Sequence, residues 1–165
     1  MVKTKIVGCL AVLLLAACSS QPPAPVEDRE VEARVREPAS KESEGVQVYS
    51  MQNPAVKQLA AQAHDAERNG RFDQAGGYLE RALRIDPEDP QLLQHMAEVQ
   101  LQKLEYQQAL SFAIRSYDTG PRVGEICSRN WRTISVAREH LHDQKGARAA
   151  EQKARQCMNT RPKGL

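Results

Sequence analysis

The sequence predicts an all-α fold: a short solenoid of three stacked helical hairpins, reached through an N-terminal signal and a tether. Three observations carry that expectation. Small and large apolar residues recur in a 34-residue frame from Val56 onward, and such a period marks stacked supersecondary units. Asn53-Pro54 and Asp89-Pro90 each set a capping side chain before a proline, which at the first helical position loses no hydrogen bond. Only seven of the 165 residues are aromatic. The core must then be built from Leu, Ala, Ile and Val, a usage that suits close-packed helices better than a β-sandwich. The length is near that of one domain and excludes a large multidomain enzyme. Lys plus Arg is 23 and Asp plus Glu is 21, for a net charge of +2. No strongly basic domain argues for a nucleic-acid partner. Four cysteines are too few for a disulfide-dense scaffold.

Residues 1–17 read as a signal. Lys3 and Lys5 precede an uncharged run from Ile6 to Ala17. That run is too short to cross a bilayer, which takes ~20 residues, and has the length of a signal-peptide apolar region. It ends Leu15-Ala16-Ala17-Cys18, followed by Ser19-Ser20. This tetrapeptide resembles the lipobox of bacterial lipoproteins. The resemblance implies cleavage before Cys18 and acyl chains, palmitate among them, on Cys18. Each buried methylene contributes ~0.8 kcal/mol, and stable anchorage takes more than one chain. Ser19 rather than Asp after the cysteine implies sorting to the outer membrane, facing the periplasm. Apart from this covalent lipid, no cofactor is expected.

Residues 18–52 read as the lipidated cysteine and a disordered tether. Ser19 to Ser50 holds Pro22, Pro23, Pro25 and Pro38, with seven acids and four bases, net −3. Proline, charge and low hydrophobicity together predict disorder. Val26, Val31 and Val35 allow only a fleeting helix, since three valines bury little area. As a coil this stretch spans roughly 30 Å.

Residues 53–161 form the head, and 162–165 a tail. The first frame, 56–89, sets Leu59, Ala63, Gly70, Phe72, Ala75, Leu79, Ala82 and Pro87 at positions 4, 8, 15, 17, 20, 24, 27 and 32. The second, 90–123, repeats the pattern with Leu93, Ala97, Tyr106, Ala109, Ala113, Ser116 and Pro121. The third, 128–161, follows four inserted residues, Gly124 to Cys127. It keeps Trp131, Ser135, Ala147 and Ala154 but departs at position 24 (Glu151) and position 32 (Asn159). These frames resemble the tetratricopeptide repeat (TPR) family. Small residues at 8, 20 and 27 let paired helices approach, and larger ones at 4, 17 and 24 fill the space. Helices are expected at about 54–69, 72–86, 90–103, 106–118, 127–141 and 144–158. Gly76 and Gly77 inside the second cost ~1 kcal/mol each relative to Ala and are read as permitting tight packing.

The TPR resemblance implies a concave groove lined by the first helix of each repeat. Carried over by position, the partner-binding residues are Lys57 and His64 in repeat one, Gln91, Gln94, Glu98 and Leu101 in repeat two, and Arg129 and Arg132 in repeat three. Ala60 and His64 occupy the positions where some members clamp a C-terminal carboxylate with Lys and Asn, and do not fit that role. Charge is uneven: Met51 to Thr119 is net −3, and Gly120 to the end is net +6. Arg122, Arg129 and Arg132 are therefore read as a basic docking patch, since Arg is enriched among interface hot spots. Trp131 is read as core.

Cys9 would leave with the signal and Cys18 would be acylated, so Cys127 and Cys157 remain. They sit at the open end of the last hairpin, and an exported protein matures where such a pair oxidises. A Cys127–Cys157 disulfide is therefore expected. His140 and His142 are two apart, unlike a zinc pair at i, i+4, and no metal site is expected. With no Gly-rich phosphate loop, Gly-x-Ser-x-Gly elbow or His-Glu-x-x-His motif in the chain, a non-enzyme is expected, and a repeat array offers an extended binding surface instead. Anchor, tether and small TPR head together resemble the outer-membrane lipoproteins that activate class A penicillin-binding proteins, in particular their LpoP type. The resemblance implies an adaptor that binds and activates a peptidoglycan synthase. The alternative is a pilotin-like assembly factor for a secretin or type IV pilus.

Overall fold

The computed structural model describes residues 30–41 and 53–158. The signal, Cys18 and the tail 162–165 lie outside the described residues. Helix α1 covers residues 30–41. The head then runs α2 (Pro54–Arg68), α3 (Phe72–Ile85), α4 (Pro90–Gln102), α5 (Tyr106–Thr119), α6 (Gly124–His140) and α7 (Gln144–Met158). Consecutive helices pair as three antiparallel hairpins, α2/α3, α4/α5 and α6/α7, which stack in order. The described residues hold no strand.

The caps fall where the Asn-Pro and Asp-Pro pairs placed them. Asn53 Oδ1 accepts from Ala55 N at 2.9 Å. Asp89 Oδ1 accepts from Gln91 N at 2.7 Å and Leu92 N at 3.1 Å. Each satisfies amide groups that the first helical turn leaves unpaired. The first helix of the third repeat has no such cap. The four inserted residues instead wind into an extra first turn of α6, which begins at Gly124.

Every hairpin turns through the same repeat position. Position 15 is Gly70, Leu104 or His142, and each is left-handed, with φ of 68°, 63° and 64°. The residue after it donates its amide five residues back: Arg71 to Ala66, Glu105 to Gln100 and Asp143 to Arg138. This Schellman closure satisfies the last helical carbonyls. A left-handed Leu costs ~1–2 kcal/mol that Gly does not, partly offset by glycine's greater freedom in the unfolded chain. Leu104→Gly should therefore stabilise by about 0.5–1 kcal/mol. Gly77→Ala should act in the same direction by a similar amount. A Cβ at Gly76 or Gly77 would meet nothing within 4 Å, so these glycines do not serve the tight packing read from the sequence. Thermal melts of the two variants check both signs.

Small residues at positions 8, 20 and 27 close the hairpins. Ala63, Ala75, Ala82, Ala97, Ala109 and Ala154 are fully buried. Where the frame uses serine, the hydroxyl finds a backbone carbonyl. Ser116 Oγ donates to Pro90 O at 2.6 Å, and Ser135 Oγ donates to Ala147 O at 2.9 Å. One apolar cluster joins repeat one to α4 through Val56, Leu59, Leu79, Leu92, Met96 and Val99. Another joins repeats two and three through Ala97, Ala113, Ile134 and Ala150, with Trp131 against it. Glu151, the departure at position 24, faces Arg132 at 3.1 Å.

Residues 30–41 depart from the expected disordered tether. Val31, Val35 and Ala39 are 2%, 0% and 0% exposed. Val31 and Val35 share a cluster with Leu101, Ala109, Val136 and Ala137 of the head. The helix takes a wide turn over Glu32–Arg36, where Glu37 N donates to Glu32 O five residues back. A wide turn of this kind precedes Pro38, which has no amide to donate and whose ring crowds the carbonyl four residues earlier.

Candidate functional site

The first helices of the three repeats, α2, α4 and α6, carry every head residue that pairs ionically with α1. Arg36 is the centre of the contact. Its Nη2 lies 2.5 Å from Glu67 Oε1 on α2, and its Nε lies 2.6 Å from Glu98 Oε2 on α4. Arg34 pairs with Glu139 of α6, and Glu30 Oε2 lies 2.9 Å from His140 Nε2 of the same helix. Along α1 itself, Glu30–Arg34, Glu32–Arg36 and Glu37–Lys41 pair at i, i+4, with the acid on the favoured N-terminal side.

Glu98 is the deepest charge in the groove, with its side chain 0% exposed. It accepts from Arg129 Nε at 2.9 Å and from Nη2 at 2.7 Å to both oxygens. It also accepts from Gln94 Nε2 at 2.9 Å and from Arg36. Burial alone would raise its carboxyl, but the charges of Arg129 and Arg36, with the Gln94 amide, outweigh burial and hold it at about 2. Glu67 is balanced similarly. Burial pushes it up, while nearby His64, the hydrogen bond with His95 and the charge of Arg36 hold it well below the usual carboxylate range. His95 lies 2.9 Å from Glu67. Burial keeps His95 below its ordinary value despite that bond, so the ring is neutral and its Nε2–H donates to Glu67.

The pH dependence follows from these directions. A carboxyl depressed by folding adds stability above its unfolded value of 4.5, lost as pH falls toward the folded value. A histidine depressed below 6.5 opposes folding as pH falls through 6.5. All three groups act in the same direction. The melting temperature should fall gently from pH 6.5 to 4.5 and steeply below 4.5. Glu98→Gln should flatten the lower part of a circular-dichroism melt series across that range.

The residues carried over as partner-binding divide into two sets. Lys57, His64 and Gln91 are exposed. Gln94, Glu98 and Leu101 are 1%, 0% and 2% exposed, closed off from any partner while α1 is in place. The basic docking patch is not free either. Arg129 is bound to Glu98 and Glu125, and Arg132 is 7% exposed beside Glu151. Arg122 stacks on Tyr117, with its guanidinium carbon 4.0 Å from the ring centre, and faces Asp118. Trp131 meets Tyr117 edge-on at 4.7 Å, with Lys153 over its ring. Sequence reasoning missed Arg36, Arg34 and Glu30, because all three were assigned to the tether.

His64, Glu67 and His95 bring potential ligand atoms within 4.8 Å of one another. The two imidazoles stack at 4.0 Å and 22°, and both face Glu67 Oε2, His95 Nε2 at 2.9 Å and His64 Nδ1 at 3.8 Å. With Arg36 on the same carboxylate, the trio is a hydrogen-bonded ion network in this geometry. Cys127 and Cys157 are joined by a disulfide, with Cα atoms 5.7 Å apart, across the open end of α6/α7.

Comparison with known proteins places this groove in a family. A tetratricopeptide-repeat family model matches residues 66–115. The solved globular C-terminal domain of P. aeruginosa LpoP is 32% identical, with a TM-score of 0.59, over 64% of this chain and 99% of that domain. The chain belongs to the LpoP-type tetratricopeptide-repeat family. No match to a curated protein is found. The matched portion corresponds in length to the three hairpins, and the family's repeat fold is that of a protein-interaction module. Among the described residues no helix is long and apolar enough to cross a membrane.

Proposed function

We propose that this LpoP-type protein is a lipid-anchored adaptor of the outer membrane that faces the periplasm and activates a class A penicillin-binding protein. One observation carries the proposal: its TPR head is 32% identical to the LpoP head over 99% of that domain. The lipobox ending at Cys18 supplies the anchor, and a mature chain beginning at Cys18 carries 21 bases and 21 acids. The adaptor contributes binding and performs no chemistry of its own.

The test uses the chain from Ser19 to Leu165, which retains every described element. Immobilised on resin, it should enrich a class A penicillin-binding protein from bacterial membrane extract. Added to that purified synthase, it should raise the rate of glycan polymerisation. Enrichment of secretin subunits instead would overturn the assignment. Hydrolysis of purified sacculi by the chain alone would overturn its non-catalytic part.

A further inference from the structure

We propose that the groove is a receptor for an arginine-bearing amphipathic helix, that α1 is its resident occupant, and that a partner segment of the same chemistry must exchange with α1 to bind. This goes beyond the adaptor role and does not depend on which enzyme is the partner.

The seat defines its ligand. Its floor is apolar, from Leu101, Val136 and Ala137, and two buried carboxylates, Glu67 and Glu98, stand beside it. The occupant answers with two valines four residues apart and an arginine adjacent to the second: Val31, Val35 and Arg36. Arg36 reaches both carboxylates from one side chain. Remove α1, and Leu101 and Val136 face water, while Glu67 and Glu98 each lose a cation.

Several features make α1 an exchangeable ligand rather than a permanent part of the core. It contributes only three buried apolar side chains, Val31, Val35 and Ala39. Both acids keep a hydrogen-bond partner without it. Glu98 keeps Arg129 and Gln94, and Glu67 keeps His95. The three hairpins close on one another through their own small residues. Exchange also changes reach. With α1 seated, the chain from Cys18 to Glu30 extends at most on the order of 40 Å. With α1 free, the chain from Cys18 to Asn53 extends up to on the order of 120 Å. A partner helix that takes the seat therefore lengthens the leash that holds the head.

The probe is a fluorescein-labelled peptide of residues 28–42, titrated into the chain from Ser19 to Leu165 and followed by anisotropy. Val35→Asp with Arg36→Glu in the chain should expel α1 and let the peptide bind at least ten-fold more tightly than to the unaltered chain. The same peptide carrying Arg36→Glu should lose that binding. Adding Glu98→Gln to the opened chain should weaken it ten-fold. Equal binding to the unaltered and opened chains would overturn the proposal, as would an opened chain that keeps its helix content yet ignores the peptide. A second measurement needs no opened variant. An environment-sensitive dye on Ala33→Cys, an exposed position of α1, should change its emission when excess unlabelled peptide displaces the helix. A dye that stays unmoved at saturating peptide overturns exchange. An unaltered chain that runs as a dimer with α1 swapped would assign the seat to a second copy and overturn the partner assignment.

Discussion

Glu98→Ala should lower the melting temperature of the head by on the order of 15 °C. The carboxylate is fully buried and holds Arg36, Arg129 and Gln94 together. Removing one partner of a buried ionic network costs about 3–5 kcal/mol, because the remaining charges stay desolvated and unpaired. Arg36 and Arg129 keep 23% and 25% of their side-chain surface in water, so they recover some hydration and the lower end of that range applies. Glu98→Gln keeps the shape and two acceptor sites and should cost about half as much. Arg36→Ala should cost less than either, since both acids keep other partners, and its effect should shrink in the Glu98→Ala background to what its contact with Glu67 contributes. A thermal double-mutant cycle over these positions isolates the coupling.

Cys127→Ser with Cys157→Ser should cost a further 3–4 kcal/mol in the chain-entropy model for a closed loop of about 31 residues. Glu98 ties α1 and α6 to α4, whereas the disulfide holds the open end of α6/α7. The first helix of the last hairpin lacks a side-chain cap, and the hairpin carries Glu151 where an apolar residue packs in the other repeats. Its loss should therefore show first as faster amide exchange in α6 and α7, with α2 and α3 unaffected at the same temperature. Treating the unaltered chain with reductant should reproduce the shift. Non-reducing peptide mapping of periplasmic material should find the two cysteines joined.

The head was legible because its determinants are local and periodic. Asn53 and Asp89 cap within three residues of themselves. Position 15 recurs as a left-handed turn whether it is Gly70, Leu104 or His142, since the Schellman closure on either side imposes the backbone. The helices consequently begin and end close to the expected residues. The main departure is α6, which begins at Gly124 rather than near residue 127, because the inserted residues extend the helix.

Helix α1 was not legible from composition. Four prolines and a net charge of −3 between Ser19 and Ser50 point to disorder, and most of α1's support is not local. Arg36 finds its acids 31 and 62 residues away. A local signal was present in the Val31, Val35, Ala39 ridge and the three Glu-to-base pairs at i, i+4, which together describe a helix with one apolar edge. Of the groove positions carried over to repeat two, Glu98 and Leu101 meet α1 of the chain itself. Arg129 and Arg132, read as a free basic surface, neutralise Glu98 and Glu151. A net charge of +6 over a segment does not reveal which cations already face an acid.

The most direct test of the self-filled groove is hydrogen–deuterium exchange on the chain from Ser19 to Leu165, unaltered and with Arg36→Glu. Docked α1 predicts slowed exchange across residues 30–41 and in Gln94 to Leu101 of α4. Arg36→Glu should return residues 30–41 to free-chain rates, with α3 unchanged. Residues 30–41 exchanging at free-chain rates in the unaltered protein would contradict it.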